Sequence, residues 1–286
     1  MKSHLGSQLV LFSLLSFGII TQCNEKTQLP AGDSDNGGLV IPDGFEAVVV
    51  VDSIGSARHL AVNDNGDIYI KMRYAHKDGE NMALRDTNND GKADILERFG
   101  VYNPKEYYST GMRIYNDYLY FSTSDKVIRQ RLTPGKLVPE SESEVILTDD
   151  YRNSKYGYSH IAKPITFDNE GHLYVPFGSP GDICQPDSVD RKPGAMGMDP
   201  CPELEWHAGI WQFDANKPGQ LQKDGHRYAT GIRSIVGMDW NHNDNTLYAL
   251  QHGRDNMNRN WPDLFSPWQS AMLPSEEFLK IKDGTD

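Results

Sequence analysis

Three segments in the second half of the chain carry the groups best suited to chemistry. "YGYSHIAKPITF" sets His160 in a loop just before a strand-like run, "YATGIRS" carries Arg233 followed by Ser234, and "QHGRD" carries Gly253, Arg254 and Asp255. A neutral imidazole can accept a proton near pH 7. A guanidinium keeps its charge and can steady negative charge developing beside it. Taken singly, each has a plainer use: His160 as a satisfied loop histidine, and Arg233 as the partner of an acid such as Asp239. A fourth stretch, "DTNNDGKADILE" (Asp86 to Glu97), fits the twelve-residue calcium loop of an EF-hand. Asp86, Asn88, Asp90 and Asp94 offer hard oxygens at alternating positions, and Gly91 permits the sharp turn that would point them at Ca²⁺. An EF-hand also needs a helix on each side. Upstream lies the strand-like "DIYIKMR", and downstream "ILERFG" is cut short by Gly100 and Pro104. The stretch therefore reads as a calcium loop without helices or as a solvated acidic turn, structural in either case.

The elements that must position these groups are strands. One phrase recurs, "NDNGDIYIKM" around Tyr69, "IYNDYLYFST" around Tyr120, "FDNEGHLYVPFG" around Tyr174 and "NHNDNTLYALQHG" around Tyr248: a polar turn, then a short strand with an apolar residue before Tyr. The copies are about 50, 54 and 74 residues apart, the period of propeller blades, each a small sheet unable to bury both faces alone. No stretch of the body keeps a 3.6-residue apolar period over a helix length. The expected fold is all-β, a propeller with about four blades, with "FEAVVVVDSI" as a β-branched run leading into it.

The chain opens with a Lys near the start and an apolar run from Leu9 to Ile20, the pattern of a secretory leader over residues 1–22. Cys23 stands where the lipidated first residue of a bacterial lipoprotein would, although Gln22 is not the small residue usual before it. Both a lipid anchor and a plain leader remain open. Residues 23–42 are polar and rich in Gly, Pro and Asp and read as a flexible tether, leaving 43–286 as the propeller domain. The expected location is outside the cytoplasm, periplasmic or anchored at the outer membrane. In that oxidising setting Cys184 and Cys201 are expected to join across the Pro/Gly-rich loop between them. The formal charge of −12 repels phosphate backbones and so excludes nucleic acid as a natural partner. Motifs for nicotinamide binding, zincins, zinc ribbons and c-type haem attachment are missing.

From about Ile41 onward the order of "ARHLAVNDNGDIYI", "FDNEGHLYVPFGS", "DGHRYATGIRS", "LYALQHGRD" and "LPSEEF" resembles the glucose/sorbosone dehydrogenase family. These are six-bladed propellers that include the soluble quinoprotein glucose dehydrogenases using pyrroloquinoline quinone (PQQ) and Ca²⁺. The resemblance implies oxidation of a sugar, with His160 as the catalytic base and Arg233 and Ser234 reaching the quinone. It also implies that backbone carbonyls of Gly253 and Arg254 hold the quinone-bound Ca²⁺. Electrons would pass to a cytochrome, to the quinone pool or to a haem domain beyond this sequence. There are departures: Ser159 stands where the family has an Asp before the base, and Ser234 where it has Asn. The family's basic residues for the PQQ carboxylates belong to two further blades, so the resemblance also implies a chain cut short. Two alternatives stay open: a calcium-dependent lactonase, which would ring a channel metal with carboxylates and Asn, and a carbohydrate-binding propeller without a reaction.

Overall fold

The computed structural model describes residues 29–100, 110–150, 159–185, 192–273 and 276–286. The leader (residues 1–22) and Cys23 lie outside the described residues. Polar turns and β-branched or aromatic runs alternate along the body, and the backbone answers with four small sheets. The first is antiparallel in the order β1 (Ala57–Val62), β2 (Ile68–His76), β3 (Gly79–Arg85), β4 (Ile95–Phe99). The second repeats that meander with β5 (Met112–Tyr115), β6 (Tyr118–Ser122), β7 (Lys126–Arg131) and β8 (Glu144–Thr148). The third holds β9 (Thr166–Phe167), β10 (His172–Phe177) and β11 (Gly209–Asp214). The short β12 (Gln220–Leu221) then leaves to run parallel to β8, and β13 (His226–Ala229) completes the third sheet beside β11. The fourth has β14 (Ile235–Asn241), β15 (Thr246–Gln251) and β16 (Glu277–Ile281), with short helices α1 (Met257–Asn260) and α2 (Pro267–Met272) before its last strand.

These are the blades of a propeller. The first strands adjoin, β1 beside β5 and β9 beside β14, around a common centre. Hydrophobic clusters fill the spaces between successive blades. Tyr69, Ala83 and Phe99 meet Met112, Leu119 and Phe121 between the first and second. Tyr120 and Val127 meet Leu173, Phe177 and Trp211 between the second and third, and Tyr174 and Ile210 meet Trp240 and Leu247 between the third and fourth. The recurring tyrosine therefore has a job. In the first two blades it is buried and its hydroxyl crosses to the next blade, Tyr69 donating to the Leu137 carbonyl (3.0 Å) and Tyr120 to that of Ala215 (2.9 Å). A buried Tyr needs such a partner, and placing it on the neighbour staples the blades.

Two expectations are met differently. The run "FEAVVVVDSI" joins no ladder; Val50, Val51 and Ile54 instead cover Ile70, Met72, Met82 and Leu84 on the free face of the first blade. The described part of the stretch read as a tether is docked. Asp33 accepts the Val49 N–H and pairs with Lys92, both at 2.8 Å, and its own N–H reaches the Ala47 carbonyl. A single acid with three fixed partners holds a segment that composition alone leaves free.

Candidate active site

The groups singled out by type come together at one end of the third and fourth blades. His160 precedes β9 in the left-handed region (φ +47°), with its backbone pressed against Gly178 at the end of β10, where any Cβ would collide with the His160 carbonyl. Its Nδ1 lies 2.7 Å from the Ser179 carbonyl, which can only accept. The ring proton therefore sits on Nδ1 and the lone pair on Nε2. That lone pair faces Arg233, whose Nη1 is 2.9 Å away.

Arg233, just ahead of β14, is held on every side. Its carbonyl takes the Ser179 N–H (2.8 Å), and its N–H reaches Gln251 Oε1 (3.1 Å) at the end of β15. Nη1 pairs with Asp182 (2.7 Å) and, more loosely, with Asp255 (3.4 Å), while Nη2 donates to the carbonyls of His252 (3.2 Å) and Gly253. Asp182 also lies 3.4 Å from His160 Nε2. Imidazole, guanidinium, buried carboxylate and the two carbonyls that Arg233 grips thus share one small volume.

Of the residues named from sequence, His160, Arg233 and Gly253 are brought together. Ser234 is buried and contributes its carbonyl to the His252 N–H (2.8 Å), while Arg254 is exposed and takes no part among the described contacts. Asp239 pairs with Arg113 (3.0 Å) rather than with Arg233. Trp206 and His207 follow the disulfide loop in the chain, the Trp206 carbonyl accepting Gln222 Nε2 and the His207 N–H bonding the Glu203 carbonyl. Burial pulls the His207 imidazole below its ordinary range, against the attraction of Asp149.

Sequence reasoning missed Asp182 and Glu203. Each stands two residues from a cysteine of the Cys184–Cys201 disulfide, so the bridge carries both acids toward His160. Burial raises the Glu203 carboxyl above the ordinary range; the Gly181 N–H and the charge of His160 pull it down, and Asp182 pushes it up.

The calcium-loop stretch is the connection of the β3–β4 hairpin, where Arg85 pairs with Ile95, and has no helix on either side. Its acids are turned onto the loop's own backbone. Asp86 accepts the N–H groups of Asn88, Asn89 and Gly91, Asn88 accepts that of Asp90, Asp90 that of Lys92, and Asp94 takes the Thr87 N–H and hydroxyl. Those Thr87 bonds hold Asp94 below the usual carboxylate range. The four side chains work as turn caps in this arrangement.

Among the described residues, His160, Asp182 and Asp255 could gather round a cation, their ligand atoms lying within 4.8 Å of one another. Arg233 Nη1 already supplies the positive charge at that point, which disfavours a ring of carboxylates about a channel metal, as a lactonase would need.

Fold and site together define a β-propeller whose strand ends present a histidine and an arginine over a buried acid. The chain belongs to the TrAA12-like family, whose model matches residues 39–279. Solved structures share the fold at low identity. A Trichoderma reesei Carbohydrate-Active Enzymes Family AA12 structure with calcium is 15% identical over 86% of this chain and 56% of its own, with a TM-score of 0.63. The holo PQQ domain of Coprinopsis cinerea pyranose dehydrogenase is 14% identical over 76% and 48%, with a TM-score of 0.57. The apo soluble aldose sugar dehydrogenase of Escherichia coli is 14% identical over 82% and 63%, with a TM-score of 0.53. The chain thus spans about half the length of the first two. No curated protein matches it.

Proposed function

We propose that this chain carries the base-bearing part of a PQQ- and calcium-dependent sugar dehydrogenase, an oxidoreductase acting on a sugar CH–OH group. The observation that supports this most is the 2.9 Å contact between His160 Nε2 and Arg233, beside the converging His252 and Gly253 carbonyls. The donor set suits the group. Carbonyl oxygens are the hard ligands Ca²⁺ takes, and the His252 and Gly253 carbonyls that now accept from Arg233 Nη2 would be open to it once the guanidinium leaves them; Arg233 Nε, buried and without a partner among the described residues, is a further donor for an anionic ligand. When bound, PQQ supplies the two-electron acceptor for hydride, and Ca²⁺ the charge that polarises it.

The protein's own task is the proton. Ser179 fixes the tautomer that leaves Nε2 as the accepting atom. Since an Arg233 N–H now fills that lone pair, a substrate hydroxyl must take its place before His160 can act as base. Asp182 then faces the imidazolium that forms, providing the carboxylate that Ser159, next to the base in sequence, cannot. Arg233, released from Nε2, is placed to steady negative charge at the reacting oxygen. We further propose an exported, periplasmic or lipid-anchored protein that hands its electrons to a cytochrome, to the quinone pool or to a haem domain.

The test is dye reduction by protein loaded with PQQ and Ca²⁺, across a panel of aldoses and polyols. His160→Ala should lower turnover by about 10²–10⁴-fold, the usual contribution of a positioned base. Absence of sugar-dependent reduction across the panel would overturn the reading.

A further inference from the structure

The chemistry above uses His160, Arg233 and Asp182 and leaves idle a second buried acid beside them. Glu203 stands on the short turn Pro202–Glu205 directly after Cys201, and one of its carboxyl oxygens lies within 4.8 Å of both sulfurs of the bridge. The residue is 2% exposed, and its Oε1 has no hydrogen-bond partner among the described residues. The two Nη groups of Arg233 are engaged elsewhere, with Asp182, Asp255 and the carbonyls of His252 and Gly253.

Glu203 borders a cavity of 130 Å³ that is open to solvent and is lined also by Asp182 and Arg233. Gly181, Ala208 and Gly231 form part of its wall, and their missing or short side chains leave the space. The volume is that of about four water molecules, at about 30 Å³ each, enough for one hydroxyl or hydroxymethyl arm of a sugar ring. Arg233 joins this cavity to the base, since the same guanidinium touches His160 Nε2, where the reacting hydroxyl must sit.

A carboxyl group keeps an acceptor lone pair whether ionised or protonated. The terminal torsion of a glutamate is soft, so Oε1 can turn toward a group entering the cavity. What the pocket wants is therefore a donor, and a buried acceptor left without one is costly. On a simple sugar the donors are its hydroxyls.

We propose that the cavity is a second hydroxyl subsite, in which Glu203 accepts a hydrogen bond from a substrate hydroxyl other than the one being oxidised. Glu203 is then a specificity-determining residue that selects polyhydroxylated substrates over simple alcohols. The inference rests on reading the site as one for sugar oxidation. Because the bond is made away from the reacting carbon, its loss raises KM and leaves kcat nearly unchanged.

The test takes D-glucose, D-galactose, D-mannose and D-xylose, each with its monodeoxy and deoxyfluoro forms. KM is read from dye reduction by the chain loaded with PQQ and Ca²⁺, and binding from saturation-transfer NMR of the unloaded chain. At one ring position of the best sugar both analogues should raise KM about 10–100-fold, because neither hydrogen nor fluorine can donate. Glu203→Leu should erase that difference between parent and analogues, and Glu203→Gln, which keeps an acceptor oxygen, should retain it. A fluoro form that behaves like the parent at every position would mean that no donor is read. Penalties unchanged in Glu203→Leu would mean that the cavity holds only water, and either result overturns the proposal. Should Glu203→Leu fail to fold, Leu204→Trp, which fills the cavity from another part of its wall, must shrink the same difference. If none of these sugars is oxidised or bound, the subsite falls together with the dehydrogenase reading, whereas oxidation with penalties independent of Glu203 removes the subsite alone.

Discussion

Asp182 and Asp255 both face Arg233, yet burial makes them unequal. The Asp182 side chain is 3% exposed and 2.7 Å from Nη1; that of Asp255 is 54% exposed and 3.4 Å away. Water screens the second pair, worth at most about 1 kcal/mol, whereas removing one partner of a buried pair strands the other charge at a cost of about 3–5 kcal/mol. Asp182→Ala should therefore lower the urea midpoint strongly and Asp255→Ala hardly at all. Equal effects would mean that Arg233 is held by its carbonyl contacts and not by charge. His160 and Arg233 were legible because their side-chain types and surrounding phrases carry a specific pattern. Asp182 and Glu203 were not, since an acid in "GDIC" or "CPE" reads the same on a surface as in a pocket, and only the fold sets its distance from His160.

At the scale of elements, the disulfide does for the site what a strand does elsewhere. The segment from Cys184 to Cys201 contains no helix or strand among its described residues, and outside the bridge it is anchored by the Gly194 N–H on the Asn260 carbonyl and the Trp261 indole on the Ala195 carbonyl. Closing a loop of that length contributes about 3 kcal/mol by restricting the unfolded chain. The double variant Cys184→Ser, Cys201→Ser should lose about that much in denaturant unfolding, and the dye-reducing turnover proposed above should fall before the fold does, because both site acids hang from the bridge. Turnover that tracks global unfolding alone would contradict this. The blades themselves were readable from the polar turn and the tyrosine, since period-2 burial dictates strand pattern locally. The run at residues 45–54 has the same β-branched composition and forms no ladder, as its backbone partners are spread along Asp33, Asn36 and Ala93 and no described strand pairs with it.

Across the whole molecule, core clusters join the first blade to the second, the second to the third and the third to the fourth; among the described residues none joins the fourth to the first. The faces that flank this gap are apolar. On β1, Ala61 is buried toward the second blade while Leu60 and Val62 are 56% and 58% exposed. On the fourth blade Leu247 and Ala249 are buried toward the third, while Val236, Leu250 and Phe278 are exposed, Phe278 at 70% and stacked on Tyr248. The outer edge of β16 also lacks a ladder partner among the described strands. Exposed apolar faces and an open edge invite chains to pair with one another. The 286-residue chain should therefore self-associate with rising concentration, read as an increase in mass by light scattering. Leu60→Lys with Phe278→Lys should return it toward a monomer without altering the His160 site, because neither residue touches that cluster. A monodisperse wild-type chain would show that the flanks are covered by residues outside the described ones, and would move the search for partners away from this gap.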